Sequence, residues 1–162
     1  MRRLALAVLP LAFLAACQPA TTELTDAERA AIRDTVTQLA DDLFAAFKAL
    51  DSDRYMAPFA SELVWADAGV LGANRDSLAT AWSGILASIQ EVTSGGWRDV
   101  HLSVLGPNVA VWAAGFDWAG VVDTAGTEMA RSGVWTTVWE RTAEGWKIVQ
   151  GHESFLTPPE SM

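Results

Sequence analysis

A chain of 162 residues, 51% hydrophobic and 19% charged, is the size of one domain and apolar enough to close a full core, which excludes a largely disordered protein. Twenty acidic residues against eleven basic ones give a net charge of −9, so the surface repels phosphate backbones and anionic headgroups; nucleic acid is excluded as a partner, and any membrane attachment must come from something other than charge. The single cysteine rules out an internal disulfide and a structural zinc site built on thiolates.

The chain starts with Arg2 and Arg3, an apolar run from Leu4 to Leu14, and then Leu14-Ala15-Ala16-Cys17. The run is too short to span a bilayer and reads as a secretory signal. Its ending resembles the bacterial lipobox. That resemblance implies a lipoprotein signal peptide over residues 1–16 and a Cys17 that carries acyl chains such as palmitate, followed by a linker to residue 24. The alternative is an ordinary signal peptide with a chance cysteine. Gln18 stands where the inner-membrane retention rule of Gram-negative bacteria asks for Asp. The expected address is therefore the cell envelope, on the periplasmic side of the outer membrane if the host is Gram-negative.

A domain is expected over residues 25–156, with 157–162 as a tail. Thr25-Asp26-Ala27-Glu28 fits a capping box, in which hydroxyl and carboxylate satisfy two otherwise unpaired backbone N–H groups. Ile32, Val36, Leu39, Leu43, Phe47 and Leu50 then recur at three- and four-residue spacing, the inward stripe of a long helix. Asp51-Ser52-Asp53 predicts a short second helix ending near Pro58, and Glu62 to Ala66 a short strand. Asp67, Ala68, Gly69 and Gly72 read as loops, and a third helix is expected from about Arg75 to Val92, closed by Ser94-Gly95-Gly96. Four long strands follow at about Trp97–Leu105, Val109–Val121, Glu128–Thr142 and Gly145–Phe155, joined by turns rich in Gly, Pro, Asn and Asp. The expected class is α+β: helices packed on a curved, mostly antiparallel sheet, a cone whose concave face can hold something apolar.

This order of elements, with Leu105-Gly106-Pro107-Asn108-Val109-Ala110-Val111 and Gly145-Trp146-Lys147-Ile148-Val149-Gln150-Gly151-His152, resembles the NTF2-like superfamily, and within it the SnoaL-like and DUF4440 domains. The resemblance covers roughly Glu28 to Phe155. Ketosteroid isomerases of that superfamily use a carboxylate after the first strand, a Tyr and a neutral acid. Asp67 falls at the base position. The tyrosine's place falls at Leu43 or Phe44 and the neutral acid's near Thr136 or Thr137, so that mechanism does not transfer.

Alternation on the last strand puts Trp146, Ile148, Gln150, His152 and Ser154 on one face, taken as inward. His152 would then sit at the mouth of the cone, either as a proton carrier or as a hydrogen-bonded end to the strand. Asp67 is either a turn residue or a base. Asp117 interrupts an apolar run and is either paired, for example with Arg131, or a polar group of the pocket. The expected pocket thus comprises Trp65, Trp82, Asp117, Trp146 and Gln150, with Asp67 and His152 as catalytic candidates. Seven of the eight tryptophans lie on predicted strands, and one cone interior is expected to be too small for all of them; outward rings would mark a homodimer interface. His101 and His152 lack a helical i, i+4 arrangement, so no metal is expected, and without a Gly-rich phosphate loop or a nucleophile motif neither a cofactor nor covalent catalysis is expected. The leading expectation is a lipid-anchored domain binding a small apolar molecule, with isomerase-, cyclase- or dehydratase-like proton transfer. The rival is a non-catalytic dimeric interaction module of the envelope. A cavity above about 300 Å³ favours the first.

Overall fold

The computed structural model describes residues 23–67, 69–72 and 74–156. The expected signal peptide, Cys17 and the expected tail from residue 157 lie outside the described residues. Helix α1 (Asp26–Lys48) starts at the expected capping box: the Thr25 hydroxyl accepts from the Glu28 N–H at 3.2 Å, and the Glu28 carboxylate accepts from the Thr25 N–H at 2.8 Å. Its inward stripe buries Ile32, Val36, Ala40, Leu43 and Phe47. Helix α2 (Ser52–Met56), capped by the Asp51 side chain on the Arg54 N–H at 3.0 Å, delivers Tyr55 and Met56 to the core. Among the described residues no helix is long and apolar enough to cross a membrane.

Strand β1 (Phe59–Asp67) is longer than expected, and the stretch read as a double loop is a hairpin. Gly69, at φ 79°, turns the chain into β2 (Val70–Gly72), which pairs antiparallel with β1. Helix α3 (Arg75–Ser88), capped by Asn74, stops four residues short of the expectation because the chain enters β3 (Glu91–Gly106) at once. Gly95 and Gly96 therefore lie inside a strand. A Cβ on Gly95 would stand 2.6 Å from the Asp117 carbonyl oxygen and 2.8 Å from Trp118, so the backbones can meet only at glycine.

Strands β4 (Val109–Val121), β5 (Glu128–Thr142) and β6 (Gly145–Phe155) complete the meander. The curved six-stranded sheet has the order β2-β1-β6-β5-β4-β3, with β1 and β6 the parallel pair and the other neighbours antiparallel. Helix α1 packs on β3 and α3 on β1, so the helices cover the concave face.

Strand β6 does not alternate throughout. Trp139 pairs with Ile148 but Val138 pairs with Gln150, which leaves Val149 as an extra residue opposite the step from Val138 to Trp139. Such a bulge flips the parity of every side chain beyond it. Trp146 and Ile148 face inward as expected. Beyond Val149 the inward residues are Gly151 and Glu153, while Gln150, His152 and Ser154 face out.

All eight tryptophans belong to the core, five of them buried and Trp82, Trp97 and Trp118 half-buried and packed against it. The outward rings expected at a dimer interface are absent among the described residues. The interior holds them in edge-on and tilted contacts: Trp65 meets Trp135 edge-on with centroids 5.1 Å apart, Phe44 meets Trp97 edge-on at 5.0 Å, and Trp135 meets Trp97 tilted at 5.4 Å. The Trp97 indole also donates to the Ala40 carbonyl at 3.0 Å, tying β3 to α1.

Candidate functional site

The register across the concave face fixes which side chains share a level. Trp112, Thr137, Gly151 and Trp65 form one row over β4, β5, β6 and β1; Ala114, Trp135, Glu153 and Asp67 form the next; Trp118 and Arg131 lie two levels further along β4 and β5. Gly151 is required in the first row because the Trp65 ring lies across it: a Cβ would stand 2.1 Å from the ring. With that ring laid flat on β6, space opens between the second row and α3.

The result is a cavity of about 580 Å³. Trp65, Leu78, Trp82, Ile85, Trp118 and Phe155 give it apolar walls, and its charged lining groups are Asp67, Glu153 and Arg131. Asp67 and Glu153 are direct register partners on the parallel pair β1 and β6, so two carboxyls meet on one face.

Their environment is hostile to two negative charges. Glu153 is only 4% exposed, and neither group makes a salt bridge among the described residues. Burial, reinforced by the negative charge of Asp67, pushes the Glu153 carboxyl up to about 8. The Trp135 indole N–H acts weakly in the opposite direction but meets no acceptor at hydrogen-bonding geometry. Glu153 is therefore predominantly a neutral acid at pH 7. Asp67 Oδ1 is buried with no hydrogen-bond partner among the described residues, an atom left for a guest to satisfy. Behind the pair, burial first and the Glu153 charge second hold the Tyr55 phenol well above its usual range, so it stays protonated.

Of the residues singled out in the sequence, Asp67, Trp65 and Trp82 line this cavity. The others lie elsewhere. His152 and Gln150 are exposed on the outer face because of the Val149 bulge. Asp117 is exposed and faces Arg98 of β3 at 3.7 Å rather than Arg131, which turns instead towards the cavity. Trp146 is buried at the far end of β6, beneath the Arg141 guanidinium at 5.1 Å. Thr137 is inward but accepts from the Trp139 indole at 2.9 Å. A buried acid does stand near Thr136 and Thr137, on the neighbouring strand: Glu153. Sequence reasoning missed it, although Gly151 inside the strand was a signal of a bulge or a close approach. Among the described residues no three His, Cys, Asp or Glu side chains gather as a metal site.

A family model described as a SnoaL-like domain matches residues 36–158. The chain belongs to the SnoaL-like domain family. Solved structures similar to this SnoaL-like domain include LinA, at 15% identity over 86% of this chain and 97% of that one, with a TM-score of 0.71. A hexachlorocyclohexane dehydrochlorinase, LinA Type2, is 14% identical over 85% of this chain and 100% of that one, with a TM-score of 0.69. An NTF2-like superfamily protein from Salmonella enterica serovar Typhimurium is 15% identical over 83% and 99%, with a TM-score of 0.67. At these identities the likeness is one of fold. No curated protein matches the chain.

Proposed function

We propose that this SnoaL-like domain binds a small, largely apolar molecule in its cavity and moves a proton on it, as an isomerase, cyclase or dehydratase does. The observation that carries this reading is the Asp67–Glu153 pair at the inner end of an apolar hollow, Glu153 buried and Asp67 half-buried with its Oδ1 out of reach of solvent. Removing a proton from carbon needs a base held out of water and an acid placed where negative charge develops. Asp67 supplies the base, with an unpartnered Oδ1 and no ion pair among the described residues. Glu153, kept neutral beside it, donates to the oxygen or leaving group of the bound molecule. A dehydrochlorinase of the same fold is consistent with elimination chemistry in such a hollow. His152, on the opposite face of β6, takes no part.

The test is tryptophan fluorescence during titration with a panel of small cyclic ketones and halides, since Trp65, Trp82 and Trp118 line the cavity. Quenching should be followed by exchange of a ligand C–H for deuterium from solvent, lost in Asp67→Asn while binding persists. No response to any member of the panel sinks the pocket reading and leaves the interaction module. Exchange that survives Asp67→Asn removes the base.

For the address, the support is the stretch Met1 to Cys17 alone. An acyl anchor on Cys17 holds the domain at the envelope, on the outer membrane's periplasmic face in a Gram-negative host. Labelled palmitate should enter the protein, and a Cys17→Ala variant that still fractionates with membranes refutes the anchor.

A further inference from the structure

We infer that the molecule this cavity takes is an amphipathic anion, an apolar body with a carboxylate head held by Arg131. This rests on the reading that the cavity takes an apolar ligand, and it adds which end of that ligand is charged. Arg131 stands opposite Trp118 in the register of β4 and β5 and lines the cavity with Met129 and Phe155. It is exposed, so it marks the mouth, whereas Asp67 and Glu153 mark the inner end.

Two observations bear on this arginine. In a chain with twenty acidic residues it makes no ion pair among the described residues, and the one hydrogen bond its guanidinium donates is a long 3.4 Å contact to the neighbouring Ala130 carbonyl. It is also the one cation in the cavity lining, beside walls that are otherwise apolar except at the far carboxyl pair and three small polar side chains of α3 and its cap. A guanidinium fork offers two parallel N–H groups to a carboxylate, and Trp118 is its register partner on β4.

Geometry limits the size of the guest. Four residues of β5 separate Arg131 from Trp135, the partner of Glu153; at roughly 3.3 Å per residue and about 4.8 Å between strands, the two backbones are about 14 Å apart. The side chains fill part of that span, which leaves room for a body shorter than about 14 Å. A carboxylate at Arg131 places the far end of such a body against Asp67 and Glu153, and it keeps two negative groups at opposite ends of the hollow.

Decanoate, decan-1-ol and decyltrimethylammonium, each below its micellar concentration, share one tail and differ in head charge. Followed by tryptophan fluorescence at pH 7, decanoate should bind about tenfold more tightly than decan-1-ol, the lower end of the range for a hydrogen bond to a charged group at an exposed site. Arg131→Gln, checked for folding by circular dichroism, should erase that preference and leave decan-1-ol affinity within about twofold. A preference that survives Arg131→Gln, or tightest binding of the ammonium ion, overturns the assignment of the head while the pocket reading stands. Failure of all three probes to bind overturns both.

Discussion

Replacing Glu153 by Gln keeps the shape of the side chain and removes its ability to ionise. In the folded protein the carboxyl is raised to about 8 from a reference value of 4.5, so between those two pH values the unfolded chain has released a proton that the native state retains. Below pH 4.5 both states are protonated and the group contributes its full share. As pH rises from 4.5 to about 8, native stability falls by about 1.36 kcal/mol per pH unit, because folding must recover the proton. The 3.5-unit interval sets an upper bound on the order of 5 kcal/mol, and between pH 5 and pH 7 alone the loss is up to about 2.7 kcal/mol. Glu153→Gln does not pay this. Urea unfolding of both proteins at pH 5, 6, 7 and 8 isolates the effect, since every other titrating group is common to them. The variant's midpoint should gain on the wild type by roughly 0.5–1 M urea per pH unit for a denaturant slope of about 1.5–2.5 kcal/mol/M. A constant offset across that range would refute the buried neutral acid.

Asp67→Asn removes the negative charge that helps raise Glu153, so the alkaline end of the same stability slope should move below about 8 while burial keeps it above 4.5; an unmoved slope would mean the two carboxyls do not sense each other. Gly151→Ala places a methyl group 2.1 Å from the buried Trp65 ring and should cost about 1–3 kcal/mol in thermal or urea unfolding; an unchanged midpoint would show that the ring is free to move aside. His152→Ala, on the exposed outer face, should stay within about 0.5 kcal/mol of wild type and leave ligand quenching intact; loss of quenching would restore the histidine to the site.

The meander was legible in the sequence because each strand is long and each turn announces itself: Gly106-Pro107-Asn108 falls between β3 and β4, and the Thr142–Gly145 turn between β5 and β6. Helix α1 was legible for the same kind of reason, a capping box followed by an apolar stripe. What failed were segments where tertiary contact overrides local preference. Three residues of β2 carry no periodicity that could separate them from a loop, and they form a strand because the end of β1 offers an unpaired edge. Gly95 and Gly96 look like helix-closing residues, yet they lie in β3 because β4 presses its backbone against Gly95 at Asp117 and Trp118.

The site turned on a single residue that alternation cannot reveal. Asp67 was found because it falls at the base position that the family resemblance puts after the first strand, although the glycine loop beside it also suited a turn residue. Glu153 was placed on the wrong face because counting by twos from Trp146 assumes an unbroken pleat, and Val149 breaks it. Without that extra residue His152 would face the concave side and Glu153 would lie outside, harmlessly solvated. The bulge thus chooses between an imidazole and a second carboxyl as the partner of Asp67, and it chooses the one that makes the interior electrostatically costly. Folding alone gives no reason to bury an acid next to another acid and leave Asp67 Oδ1 without a partner, since both features lower native stability at neutral pH. The dense aromatic core offsets that cost, and the carboxyl pair lies where a cavity gives a ligand access to it.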